Sequence, residues 1–330
     1  MDFSLKSVST SPTRSEDTRD ETVKVLILGS GPAGLAAALY AARAELEPVV
    51  LTGMALGGQV ALTHAVENYP GFPDGVGGME MVELFQKQAE RFGTRIEFDT
   101  AIEVDLSDRP FVVRTQNGVR YLADALIITT GASARTLNIP GETELTGRGV
   151  SYCGTCDGWF FKDKDVVVVG GGDSALEEGI FLTRFASSVT IVHRRDELRA
   201  GPILEKRAKA NQKISYIWNT VIDEIKGDGV VESVVLRNTV TGDESVHLID
   251  GVFVFIGHTP NTNLFQEQLE MDERGYIVID KSMQTSVPGV YAAGEAADSH
   301  FRQVITSAGM GAAAAIQAGH FLDEQEDISS

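Results

Sequence analysis

An apolar run, a glycine-rich turn and a helix of small residues occur twice in this chain, and that repetition limits its folds more than any other feature. The first copy, VKVLILGSGPAGLAAALYAAR, begins at Val23; the second, KDVVVVGGGDSALEEGIFLTR, begins at Lys164. Each is followed by a short strand-like run, PVVLT and SVTIVHRR, so each reads as a βαβ unit. Each also has a later closing run, DALIITTGA and DGVFVFIGH, which reaches Gly131 and Gly257 at the expected carboxyl edge of a parallel sheet. Ligands bind at that edge in such folds.

The expectation is an α/β protein with two Rossmann-like nucleotide-binding domains, the second inserted into the first. A chain of 330 residues has room for about two domains. The first is expected at 23–134 and 263–330, the second at 135–262. Residues 1–22 read as a disordered tail. A mitochondrial transit peptide is the competing reading, disfavoured by Asp2, Glu16, Asp17 and Asp20, because such peptides are poor in acidic residues. The expected address is cytoplasmic. The longest apolar runs are too short to cross a bilayer. A net charge of −19 disfavours nucleic acid and anionic membrane surfaces, and the acidic stretch from Asp323 to Asp327 reads as a solvated end.

In Gly29-Ser30-Gly31-Pro32-Ala33-Gly34 the glycines allow a tight turn, close approach of backbone to a pyrophosphate, and close packing of helix on strand, with the helix N-terminus facing the phosphate. The acidic residue expected about 20 positions later for a ribose hydroxyl is missing. The second strand ends at Leu51-Thr52-Gly53, which makes Thr52 the candidate substitute. The second motif, Gly170-Gly171-Gly172-Asp173-Ser174-Ala175, has the G-x-G-x-x-A form, and Ser174 with Glu177 has capping-box spacing. His193, Arg194 and Arg195 follow its second strand, with Arg199 one turn later. Basic residues where an NAD enzyme places a carboxylate suit a 2′-phosphate and select NADPH; a solvated basic cluster is the plain alternative.

The chain has two cysteines, Cys153 and Cys156, in one C-x-x-C directly before the second nucleotide fold. Thiols at this spacing can close and reopen a disulfide by exchange. Two buried thiols are an alternative reading, and a zinc site is disfavoured because it needs about four ligands. A thiolate must form before it can attack, and Asp157 is placed to exchange that proton.

The order of these parts resembles the low-molecular-weight thioredoxin reductases, through GSGPAG, GGQ at Gly57 to Gln59, ENYPG at Glu67 to Gly71, CGTCDG, GGGDSA, HRRDELRA and RQVITSAG from Arg302. The resemblance implies FAD on the first domain, NADPH on the second, a homodimer, thioredoxin or a thioredoxin-like protein as substrate, and a swing of the second domain against the first. It implies that Cys153 attacks the partner disulfide while Cys156 accepts electrons from flavin, with Asp157 handling protons. It implies FAD contacts from Gly58, Gln59, Asn68, Gly131, Gly294, Glu295, Arg302, Gln303 and Val304, and NADPH contacts from Gly170, Gly172, Asp173, Ser174, the basic cluster and Gly257. Three residues depart from the usual pattern: Glu295 for Asp, Gly154 for Ala, and Met310 for Thr or Ser. A flavin dithiol oxidase is disfavoured by the HRR cluster, a ferredoxin or flavodoxin reductase by the cysteine pair, and a non-catalytic dinucleotide sensor has no need of the thiols.

Overall fold

The computed structural model describes residues 19–329, apart from Ala55 and His64. In chain order the elements are β1 (Arg19–Leu28), α1 (Pro32–Arg43), β2 (Val49–Leu51), α2 (Gly78–Glu90), β3 (Arg95–Glu97), β4 (Ala101–Asp105), β5 (Phe111–Thr115), β6 (Val119–Ile128) and β7 (Ala132–Ala134). Then come β8 (Val150–Ser151), α3 (Gly154–Asp157), β9 (Asp165–Val169), α4 (Asp173–Leu182), β10 (Ser188–Val192), α5 (Pro202–Lys209) and β11 (Ile214–Ile217). The chain closes with β12 (Thr220–Lys226), β13 (Ser233–Asn238), β14 (Glu244–Leu248), β15 (Gly251–Val254), β16 (His258–Pro260), β17 (Val290–Ala292) and α6 (Val304–Ser329).

Both copies of the repeat form parallel sheet. In the first, β1 pairs in parallel with β2 and β6, within a seven-stranded sheet ordered β3-β2-β1-β6-β5-β4 that β17 joins on β6. In the second, β9 pairs in parallel with β10 and β15, within a five-stranded sheet ordered β11-β10-β9-β15-β8. Residues 25–28 of β1, residues 125–128 of β6 and nearly all of β9 and β15 are apolar because both faces of the sheet are covered there. Leu26, Leu28, Leu126 and Ile128 face one cluster, and Val25, Ile27, Ala125 and Ile127 face the other. Val167 and Val252, against Val166, Val168 and Phe253, divide the second sheet in the same way.

Two sequence expectations meet differences. The tail expected at residues 1–22 lies outside the described residues as far as Thr18, while Arg19 to Thr22 are strand residues paired with Val119 to Leu122. The Ser174/Glu177 capping box does not form: Gly172 is the N-cap of α4, and Asp173 accepts the Gly201 amide at 2.7 Å instead. A polar side chain at a helix start has been taken by a loop that folds back on it, a tertiary contact invisible in local spacing. The acidic stretch from Asp323 to Asp327, expected to be a solvated end, is the largely exposed last part of α6.

The chain leaves the first sheet after β6 and returns to it at β17. Between these points β7 and β16 pair with each other, antiparallel, so the outgoing and returning segments form one two-stranded ribbon. Gly131 and Gly257 stand at its ends with φ of +68° and +109°, and Asn261 N–H donates to Gly131 O while Arg135 N–H donates to Gly257 O, each at 2.9 Å.

α1 and α6 pack closely because their contact is built from small side chains, Ala33, Ala37 and Ala41 against Ala314, Ala315 and Ala318. A Cβ on Gly311 would stand 2.0 Å from the Ala33 carbonyl oxygen. Gly311→Ala should therefore push the helices apart and cost about 1–3 kcal/mol, read as a lower midpoint in urea unfolding, whereas the same change at Gly309, where a Cβ meets open space, should cost nothing.

Candidate functional site

The two glycine motifs divide their labour identically. In the first, Cβ atoms at Gly29 and Gly34 would collide with Thr129 O at 2.3 Å and Gly29 O at 1.9 Å, so these positions let turn, strand and helix meet. At Gly31 a Cβ would approach only Gly57 O, at 3.9 Å, leaving bare backbone over open space at the start of α1. Pro32 opens the helix at N1 with its φ already helical, and Ala33 is buried behind it. In the second motif Gly170 would strike Phe255 O at 2.5 Å, Gly172 faces open space, and Ala175 is fully buried in the third position. Each motif is thus a cradle that a side chain would fill, closed at its first and third positions and open in the middle, as a pyrophosphate requires.

Around the first cradle, Ser30 Oγ accepts from the Gly57 amide at 3.1 Å and donates to Thr52 O at 3.2 Å, tying the first turn to the β2 end and to the Gly57-Gly58-Gln59 segment. Thr52 is buried and its hydroxyl donates to Gly53 O, so the expected substitute for a ribose carboxylate is already engaged locally. Gly294 follows β17 with φ +67°, and a Cβ there would lie 2.9 Å from Ala33 Cβ. Burial pushes the Glu295 carboxyl up to about 7, Asp298 adding repulsion and Arg302 opposing it.

Beside the second cradle, the His193 ring lies beneath Gly171, where a Cβ would meet it at 2.4 Å. Burial lowers the pKa of His193, and the positive charges of Arg199, Arg194 and Arg195 lower it further, which marks the three guanidiniums as converging there. All three arginines are exposed, and Arg199 N–H donates to Gly171 O at 2.7 Å, fastening the basic loop to the glycine turn. Asp173 and Ser174 are exposed at the start of α4.

Cys153 and Cys156 are joined as a disulfide with an S–S distance of 2.05 Å, so neither sulfur is a metal ligand or a free buried thiol. The Cys156 amide donates to Cys153 Sγ at 3.1 Å. Ser151, two residues before the pair, accepts from the Cys153 amide at 3.1 Å and donates to Asp157 Oδ2 at 2.6 Å. Burial holds the Asp157 carboxyl above the usual aspartate range, with the Ser151 hydroxyl working against it. A carboxyl so placed can keep a proton within reach of the pair.

One seam brings the distant parts together. Gln303, directly before α6, accepts from Asn68 Nδ2 at 3.1 Å and donates through Nε2 to Thr155 Oγ1, inside the cysteine loop, at 3.3 Å. Arg302 beside it has φ +51° and lies 2.6 Å from His258 Nδ1 on the β7–β16 ribbon. Burial, then Arg302 and Arg135, push His258 down to about 4, so its neutral ring accepts from the guanidinium. The buried Asp298 carboxylate shapes this loop by accepting the amides of His300, Phe301 and Arg302.

Sequence reasoning missed Ser30, Ser151, Thr155, His258 and Asp298. Ser30, Thr155 and His258 stand inside the quoted runs and Ser151 stands just before one, which is the signal that could have flagged them; Asp298 had none. It also missed Trp159 and Phe160, which follow Asp157-Gly158 and are 54% and 38% exposed, an aromatic surface beside the disulfide.

The sequence profile of the pyridine nucleotide-disulphide oxidoreductases matches residues 23–319. Thioredoxin reductase of Mycolicibacterium smegmatis is 50% identical over 305 residues, covering 92% of this chain and 97% of that protein. Thioredoxin reductase of Streptococcus pyogenes MGAS5005 superposes with a TM-score of 0.88 at 42% identity, over 92% of this chain and 99% of that one. Lactococcus lactis thioredoxin reductase, in a structure described as the FR conformation, has 40% identity and the same coverages but a TM-score of 0.63.

The protonated form of Glu295 is favoured by the fold, its pKa being about 7 against an ordinary 4.5. Its contribution to stability is therefore full below the ordinary value and is lost as pH rises through about 7. In protein stripped of bound nucleotide, unfolding free energy should fall by on the order of 2 kcal/mol between about pH 5 and about pH 8 from this group, and Glu295→Gln should remove that slope in urea titrations.

Proposed function

The chain belongs to the pyridine nucleotide-disulphide oxidoreductases, among the thioredoxin reductases, and from that premise we propose that it carries electrons from NADPH through FAD to the Cys153–Cys156 disulfide and on to a thioredoxin. The observation that carries this reading is the seam: Gln303 joins the segment after the first cradle, at Asn68, to the cysteine loop, at Thr155. The fold and the family together imply a flavin and a nicotinamide nucleotide. That the first is FAD and the second NADPH is our assignment.

FAD fits the first cradle, with Gly29, Gly31, Pro32, Ala33 and Gly34 at its pyrophosphate and Gly58, Gln59, Asn68, Gly294, Glu295, Arg302, Gln303 and Val304 around the remainder. Gly131 completes that set, whereas the Thr52 hydroxyl is spent on Gly53 O. NADPH fits the second cradle, formed by Gly170, Gly172, Asp173 and Ser174, with Arg194, Arg195 and Arg199 offering charge-assisted hydrogen bonds to a 2′-phosphate. His193 supports that loop from beneath Gly171, and Gly257 closes the edge. Bound flavin supplies the relay between a nicotinamide and a thiol pair.

The chain's own residues manage the thiols. We assign attack on the partner disulfide to Cys153 and the flavin-facing role to Cys156. Asp157, its pKa raised by burial, holds the proton that the opened pair takes up or releases, and Ser151 fixes the carboxyl's orientation. Trp159 and Phe160 offer the partner protein an apolar contact beside the pair.

The ribbon of β7 and β16 supports a swing of the second sheet against the first, since it is the two-stranded passage through which the inserted segment leaves and returns. The comparisons lend weight to the same idea: at nearly equal identity and coverage, TM-scores of 0.88 and 0.63 separate two structures, as differently disposed lobes would. We further propose a cytoplasmic homodimer. A groove lined by Leu39, Tyr40, Tyr69, Phe85, Ile305 and Ala308, between α1, α2 and α6, leaves Tyr40 and Ile305 nearly half exposed, which suits burial against a second copy.

Anaerobic titration tests the electron path. Wild type should consume about twice the NADPH per flavin that a Cys153→Ala, Cys156→Ala variant consumes, because the pair stores as many electrons as the flavin; equal uptake would sink the disulfide route. Arg194→Gln with Arg195→Gln should weaken NADP+ binding about ten- to a hundredfold in calorimetry while sparing NAD+. Tyr40→Glu should shift the protein from dimer to monomer in sedimentation.

A further inference from the structure

Glu178 is a sheltered carboxyl that the electron path described above leaves unused. α4 carries it against the cysteine loop, where its Oε2 is buried and has no hydrogen-bond partner among the described residues. A Cβ built on Gly154, between the two cysteines, would stand 2.3 Å from that oxygen. The carboxylate thus occupies the space that a side chain at position 154 would claim.

The charges and dipoles around it are few. The amides of Thr155 and Gly154 face the carboxylate without closing a hydrogen bond of normal geometry to Oε2. Arg302 approaches from the segment before α6, and Glu177 adjoins it on α4. Burial raises the Glu178 pKa, Arg302 and the two amides lower it, and Glu177 raises it further.

We infer that Glu178 is a positioning residue that sets the redox poise of the Cys153–Cys156 pair: its negative charge, admitted by the missing Cβ at Gly154, makes the opened pair a stronger reductant. This rests on the reading of the pair as the electron-passing disulfide. Opening the pair breaks the S–S bond with two electrons from the reduced flavin; one sulfur takes up a proton, and the other is left as a thiolate. The closed disulfide is neutral and feels no repulsion from a carboxylate. The thiolate does, in a setting where effective dielectric is about 20 rather than about 80. The charge therefore raises the free energy of the reduced form alone, which tilts the couple towards the disulfide and strengthens the dithiol as a donor. Because α3 and α4 are joined through the second sheet, the contact stays in place when the sheets move relative to each other.

The test is the equilibrium constant of the pair in the full-length flavoprotein, set against dithiothreitol buffers without nicotinamide and read by thiol alkylation. Glu178→Gln keeps the shape and removes the charge. It should shift the constant towards the dithiol by about three- to tenfold, the upper figure being about 30 mV for a two-electron couple. Gly154→Ala, whose Cβ displaces the carboxylate, should shift it the same way by less. A Glu178→Gln constant within about twofold of wild type overturns the inference, since a packing role alone survives the amide. If Glu178→Gln does not fold, Gly154→Ala decides by direction: no shift, or a shift towards the disulfide, overturns it. Failure of the parent reading has a separate signature, in which NADPH leaves the wild-type disulfide closed whatever constant dithiothreitol gives.

Discussion

The structure depends on backbone meeting backbone where no side chain fits. Gly29 and Gly34 bring the end of β1, the start of α1 and Thr129 after β6 within distances that any Cβ would violate, and Gly170 does the same against Phe255. Once those contacts close, the helix N-terminus must sit at the carboxyl edge of the sheet, with the middle glycine bare before it. The Gly57 segment is then fixed beside the first turn through Ser30. In the first turn, a side chain at position 29 or 34 would hold the helix off the strand, and the cradle would lose both its shape and its amide groups.

The second consequence is a seam rather than a single cavity. Each sheet gathers its own glycine loops at its own carboxyl edge, so the two edges can cooperate only if something holds them face to face. Gln303, anchored to Asn68, does this through its hydrogen bond to Thr155, and Arg302 does it through His258, whose neutral ring is enforced by burial and by the neighbouring guanidiniums. A protonated His258 would repel Arg302, so the low pKa and the contact require each other. Asp298 stands behind both, its carboxylate spent on the amides that fix the course of residues 300 to 302.

The repeat, the glycine turns and the cysteine pair were legible in the sequence because each is a local pattern with a local physical cause. Apolar runs of strand length, glycines at fixed offsets and two thiols three residues apart carry their meaning within a short window. What was not legible is made by pairs far apart in the chain. Asn68 meets Gln303 across 235 residues, and Thr155 meets the same side chain across 148. The motifs ENYPG and RQVITSAG single out Asn68 and Gln303, but no local spacing pairs them with each other or with Thr155. The failed capping box shows the converse: Ser174 and Glu177 have the right spacing, yet Gly172 caps the helix and Asp173 is drawn to Gly201. Gly154 stands where Ala is usual, a departure with no local reason in the sequence. In the fold its missing side chain is room for the Glu178 carboxylate, a role that only the approach of α4 discloses.

The strengths of the contacts are distributed as the proposed cycle demands. Groups that must act on the thiols at every stage ride with them: Ser151 and Asp157 are bonded at 2.6 Å beside the pair, and Glu178 is packed beneath it. Among the described residues, the cysteine loop is linked to the opposite sheet by an exposed hydrogen bond of 3.3 Å from Gln303, worth about 1 kcal/mol in such a setting. A bond of that strength orients the loop while the sheets are docked and yields when they part. The firmer Arg302–His258 contact sits on the ribbon itself, where relative motion is smallest for a movement about β7 and β16. A strong interaction at the cysteine loop would trap the pair against one partner, and a weak one at the ribbon would leave the axis undefined, so the observed order is the one that lets a disulfide serve two faces in turn.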